Sequence, residues 1–134
     1  MFAYFLVGLG SALGGMARFW ASGMIATRYG ESFPWGTLVV NVTGSFAIGL
    51  FATLTAPSGR WLVGSSGRNF FMAGICGGYT TFSSFSLQTL ALARDEEWLY
   101  AGGNALLNMV LCLVAVWLGH ILAATVSPAG GGLR

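Results

Sequence analysis

No aspartate or glutamate falls inside any of the four apolar runs that make up most of this chain. Run one extends from Phe2 to Trp20 or slightly beyond, run two from Trp35 to Leu54, run three from Phe70 to Ala93 and run four from Leu99 to Val126. A helix crosses the hydrocarbon core of a bilayer in about 20 residues. Inside lipid the backbone must satisfy its own polar groups, which a helix does within one segment. The pattern predicts an all-α membrane protein with four transmembrane helices per subunit. It places one transmembrane domain over residues 1–126 and a flexible, glycine-rich tail over residues 127–134. The punctuation falls between the runs, at Arg28 to Pro34, Pro57 to Arg60 and Arg94 to Glu97.

Composition agrees with lipid as the surroundings. Hydrophobic residues are 55% of the chain and charged residues 7%, whereas a soluble surface needs roughly a quarter of its residues charged. A net charge of +2, without a single lysine, is too small to hold a polyanion, so membrane lipid and not nucleic acid is the expected partner. The segment from Met1 to Trp20 lacks the basic start of a signal peptide and is followed by further apolar runs, so it reads as a retained first span. Cys76 and Cys112 lie inside apolar runs and read as small buried hydrophobes, not as a disulfide framework.

Cationic residues orient membrane helices. With the N-terminus inside, Arg60, Arg68 and Arg134 fall on the inner side, and Arg28 and Arg94 on the outer, joined by Arg18 if it reaches that interface. The bias is close to zero. Chance balance among so few charges gives the same count, but a chain without a preferred orientation also makes an antiparallel pair natural, and the closed two-fold dimer is the commonest oligomer.

The polar residues form stripes. Thr37, Asn41 and Ser45 are four apart on run two, and Asn104, Asn108 and Cys112 repeat that spacing on run four, so each set shares one helical face. A buried asparagine needs a partner or a watery path. One reading has these asparagines bonding helix to helix; the other has them lining a path, which two stripes and a hydroxyl-rich third run favour. Gly10 and Gly14, like Gly74 and Gly78, are four apart and offer close helix contact. Arg18, near the end of run one, is expected to snorkel or to bond carbonyls at a helix end, with attraction of an anion to a vestibule as the other role. His120 reads as interfacial, since no acid is placed to orient it in a triad. No metal-ligand cluster or catalytic constellation is evident, so an enzyme is not expected.

The third run holds the most unusual stretch, GICGGYTTFSSFS at 74–86. Gly74, Gly77 and Gly78 weaken the helix, and Thr80, Thr81, Ser83, Ser84 and Ser86 offer hydroxyl bonds that compete with its ladder. The helix is expected to break near the centre of the run, where freed carbonyls suit a cation such as Na⁺. Phe82 and Phe85 are three apart, and aromatic ring edges are electropositive. Ring edges, amide N–H groups of Asn41 and Asn108, and hydroxyls replace the hydration of a small hard anion without a fixed charge that would hold it too tightly.

This stretch, with Gly14 to Arg18 in run one and GTLVVNVTGSF at 36–46 in run two, resembles the CrcB/Fluc family of microbial fluoride channels. The likeness covers essentially the whole chain up to the tail. It implies an antiparallel, dual-topology homodimer of four-span subunits in a bacterial inner membrane, with the third helix broken. It also implies two fluoride pathways and a structural Na⁺ held by backbone carbonyls, here those of Gly77 and Thr80. Phe82 and Phe85 would stand beside the path, with Asn41, Thr81, Ser83, Ser84 and Asn108 lining the pore and Arg18 at a vestibule or in a packing role. Gln88 stands where some relatives carry a carboxylate, and Asn104 lies where relatives differ. The implied activity is passive fluoride export. A small proton-coupled exporter and a non-conducting scaffold are the competing readings; against the first stands the lack of an acid deep in any run.

Overall fold

The computed structural model describes residues 1–127, so the expected tail beyond Ser127, with Arg134, lies outside the described residues. The described residues form helices and connecting turns with no strand. Helix α1 (Phe2–Tyr29) is 28 residues long, about 42 Å at 1.5 Å per residue. It runs well past Trp20 because nothing between Ala21 and Tyr29 breaks a helix. It stops at Gly30, whose φ of 80° is open to glycine and strained for most residues. This length corrects one expectation: Arg18 is not near a helix end but in the interior of α1.

Helices α2 (Trp35–Leu54) and α6 (Trp98–Val126) match runs two and four to within a residue. With α1 they are three helices long and apolar enough to cross a membrane. The third run is different. It starts earlier than expected, as α3 (Ser65–Arg68), continues without interruption through a π-helical stretch (Asn69–Cys76) into α4 (Gly77–Tyr79), and then breaks. Thr80 and Thr81 are extended, with φ/ψ of −82°/157° and −152°/112°, before α5 (Phe82–Arg94) resumes. The break falls near the centre of the run, as expected, just past Gly77 and Gly78. It falls at two β-branched residues, which favour extended backbone.

Gly10, Gly14, Gly74 and Gly78 serve close packing. A Cβ on Gly10 would come within 2.9 Å of the Gly74 Cα, one on Gly78 within 2.8 Å of the Ser11 Cα, and one on Gly14 would strike the Ile75 carbonyl. So α1 lies backbone to backbone against the first half of the third run. On the other side α2 packs along α6, where Gly119 would meet the Leu50 amide nitrogen at 2.8 Å and Gly49 the Val116 carbonyl. Stacked rings of Phe51 and Phe71, 4.1 Å apart, join α2 to the π-helical stretch.

Outside these seams the surface is apolar: Phe5, Phe19 and Trp20 on α1 and Leu106, Leu113 and Trp117 on α6 are all exposed. Such a surface in water would mark an interface or a liability; in lipid it is the ordinary exterior, and the chain is a membrane protein. The acidic residues stay in the turns. Asp95, Glu96 and Glu97 close α5, with the Glu97 N–H donating to the Leu92 carbonyl at 2.9 Å, the bond of a Schellman turn.

Gly14→Ala tests the seam between α1 and the third run. The added carbon meets backbone that cannot move aside, so this substitution is expected to cost about 1–3 kcal/mol. Gly8→Ala, where nothing lies within 4 Å of the new carbon, is expected to leave stability unchanged or to raise it through better helix propensity. Thermal unfolding of the two variants in detergent reads the difference.

Candidate functional site

Breaking a helix strands its hydrogen bonds. In an unbroken helix the Thr81 N–H would go to the Gly77 carbonyl and the Ser84 N–H to the Thr80 carbonyl. Here the Thr81 N–H donates to Asn41 Oδ1 at 2.8 Å, and Asn41 Nδ2 donates back to the Thr81 carbonyl at 3.1 Å. The carboxamide of Asn41 pairs with the extended residue as a neighbouring strand would. The Ser84 N–H donates at 3.1 Å to Thr81 Oγ1, which caps α5. Thr81 Oγ1 in turn donates to Ser84 Oγ at 3.0 Å, and Ser83 Oγ lies 3.3 Å away.

From Asn41 the bonds run on through the bundle. Its second N–H donates to Asn108 Oδ1 at 3.1 Å. Asn108 Nδ2 donates to Asn104 Oδ1 at 2.9 Å and to the Asn104 carbonyl at 3.1 Å. Asn104 Nδ2 donates to Thr89 Oγ1 at 2.8 Å, and Thr89 donates to the Phe85 carbonyl at 2.8 Å. The chain of bonds leaves the third run at Thr81, crosses α2 and α6, and returns to α5 a few turns on. Asn41, Asn104, Asn108 and Thr81 are all buried, Asn104 completely. The two polar stripes thus meet each other, as helix-to-helix bonding requires, and both N–H groups of Asn41 and of Asn108 have protein partners.

Two clefts open on either side of this arrangement. The larger, of about 840 Å³, is lined by Arg18, Ser84, Gln88 and Thr81 among others. Arg18 Nη1 donates weakly to the Thr80 carbonyl at 3.4 Å, so its charge is held at the break instead of at an interface. Gln88 Oε1 is buried without a partner. The smaller cleft, of about 340 Å³, is lined by Asn41, Asn108, Phe82, Phe85, Gly77 and Thr80 among others, and by Thr81 again. Thr81 is therefore common to both. Phe82 and Phe85 have ring centroids 5.2 Å apart, but they sit differently: Phe85 is buried and Phe82 is 72% exposed. Ser83 is exposed and lines neither cleft.

The four carbonyls from Gly77 to Thr80 form the negative end of one helix segment, and the first N–H groups of α5 form the positive end of the next. A cation suits the first and an anion the second. The donors at the cation end are neutral oxygens. Among the described residues no group of three or more His, Cys, Asp or Glu gathers to hold a metal. The Gly77 and Thr80 carbonyls, relieved of their helical donors, fit a hard monovalent ion. One chain offers it only part of a shell, and Arg18 competes for Thr80.

His120 is half-buried, and Thr53 Oγ1 stands 2.8 Å from its Nδ1. The Thr53 proton is spent on the Gly49 carbonyl, so Nδ1–H is the donor and the ring ties α6 to α2. Thr89 escaped the sequence reading, although Thr81, Phe85 and Thr89 repeat the four-residue spacing that marks the other stripes.

Replacing Asn41 by Ala leaves the buried Thr81 N–H and carbonyl without partners. The loss is expected to be about 1–3 kcal/mol for each group left unpaired, and hydrogen exchange at the Thr81 amide is expected to quicken while exchange within α1 does not.

Comparison with known proteins adds to this geometry. Residues 5–120 match the family described as CrcB-like protein, Camphor Resistance (CrcB). A protein of Opitutus terrae named fluoride-specific ion channel FluC is 63% identical over 131 residues, covering 98% of this chain and 99% of the relative. One of Paramagnetospirillum magneticum with the same name is 61% identical, covering 95% of this chain and 99% of the relative. A third, from Methylocella silvestris and again of that name, is 56% identical, covering 96% of this chain and 98% of the relative.

Proposed function

This chain belongs to the CrcB family, and we propose that it is a fluoride-selective channel, not an enzyme, that lets fluoride leave the cytoplasm passively. The observation that carries the reading is the place of Thr81, shared by the two clefts and fixed by Asn41. In this account the wide cleft with Arg18 is a vestibule that concentrates anions. The ion passes Thr81 and Ser84, whose hydroxyls replace part of its water, and reaches the ring edges of Phe82 and Phe85 beside the positive end of α5. Ser83, outside both clefts, acts only through its hydroxyl 3.3 Å from Thr81 Oγ1. Asn41 and Asn108 line the inner cleft and meet the ion by exchanging one of their internal bonds. No deep carboxylate couples the passage to protons.

The active form in this proposal is an antiparallel, dual-topology homodimer in a bacterial inner membrane. The two halves of each third run together make a fourth crossing, and Phe82, exposed on one copy, is covered by the other. The near-even arginine count supports insertion in both orientations. A second copy would also complete the shell of a structural Na⁺ on the carbonyls of Gly77 and Thr80. Bound there, the ion supplies positive charge that fixes the ends of the broken helices.

Phe82→Ile and Phe85→Ile remove ring edges and keep apolar bulk. Losing an aromatic contact of about 0.5–1.5 kcal/mol slows passage by about two- to tenfold. Fluoride-electrode recordings on liposomes are expected to show that drop in variants that elute as the parent does, with no dependence on a pH gradient. Unchanged flux in well-assembled variants contradicts the placing of the path, and flux that requires a pH gradient favours a proton-coupled exporter.

A further inference from the structure

Two elements bring sulfur to one space. Met72 and Cys76, four apart on the π-helical stretch, and Met109 and Cys112, three apart on α6, all line the 340 Å³ cleft. Both cysteines are free thiols, Cys76 buried and Cys112 half-buried. The channel reading uses none of the four. Their spacing puts each pair on one side of its helix, so two thiols and two thioethers belong to side chains that line one cavity, otherwise mostly apolar. Hard divalent ions have no carboxylate to bind there. Thiolate and thioether sulfur instead select soft cations, copper(I) above all among biological metals.

We propose that this cleft binds one soft monovalent cation, copper(I) or silver(I), anchored by Cys76 and Cys112 and completed by Met72 and Met109, and that the ion plugs the cleft. Each thiol that ligates breaks its S–H bond, forms a sulfur–metal bond and gives its proton to water. No electron is transferred. Binding therefore weakens as pH falls. The plugging half of the proposal rests on the channel reading; the binding half does not.

Silver nitrate is the probe, added to the purified full chain in detergent and chloride-free nitrate buffer, with bound silver counted by mass spectrometry after desalting. One ion per chain is expected. Cys76→Ser and Cys112→Ser are each expected to lower its affinity about tenfold or more, the scale on which ligand environments change metal binding. Met72→Leu with Met109→Leu is expected to lower it less. Two ions per chain, one lost with each cysteine, would mean two independent thiols and would overturn the site, as would silver binding that survives both serine substitutions. Cysteine-to-alanine variants that elute as the parent does separate lost binding from lost fold. In liposomes silver is expected to stop fluoride efflux through the parent and to spare the double serine variant. Efflux that continues with silver bound overturns the plug. If no variant conducts fluoride, the channel reading fails while the silver count still decides the site.

Discussion

An extended residue within a membrane helix persists only if something replaces the hydrogen bonds it gives up, and for Thr81 the carboxamide of Asn41 does so on both its N–H and its carbonyl. Lipid offers no substitute partner, so each unpaired group would cost about 1–3 kcal/mol. Asn41 is in turn placed by Asn108, which is placed by Asn104, which returns to α5 through Thr89. The break is an element of the fold with its own support, not a weak point in a helix.

That support depends on close helix packing. Side-chain amides span only a few ångströms, so the Asn41–Asn108 bond requires α2 and α6 to run nearly in contact, and Gly49 and Gly119 permit it. On the other face Gly10, Gly14, Gly74 and Gly78 let α1 lie against the third run, which carries Arg18 to the carbonyl of Thr80. Small residues thus decide where the functional polar ones stand. The same packing leaves the two clefts separated by the residue Asn41 holds.

Much of this was legible in sequence. The runs gave α2 and α6 almost to the residue because punctuation in the turns is strong, as at Pro34 and at Arg94 to Glu97. The broken third run was legible from its crowd of small and hydroxyl residues, and the break falls near the centre of the run as they suggested. The spacing of Gly10 and Gly14 and of Gly74 and Gly78 pointed to close helix contact, but which helices they join is a tertiary fact. Arg18 was misplaced because apolar density falls after Trp20, whereas helical continuity holds to Tyr29. The asparagine stripes were seen as stripes. That they pair with each other, through a register set by α2 against α6, is a tertiary fact. So is the contrast between buried Phe85 and exposed Phe82, which spacing alone puts on one side.

The account's central claim is that a neutral, donor-lined path past Thr81 passes fluoride and refuses the larger, more weakly hydrogen-bonding chloride. Efflux of the two anions from liposomes holding the purified protein, in Na⁺ and without a pH gradient, tests it most directly. The account predicts fast fluoride efflux with little chloride efflux. Absence of fluoride efflux from protein verified as folded and inserted, or equal passage of both anions, would contradict it.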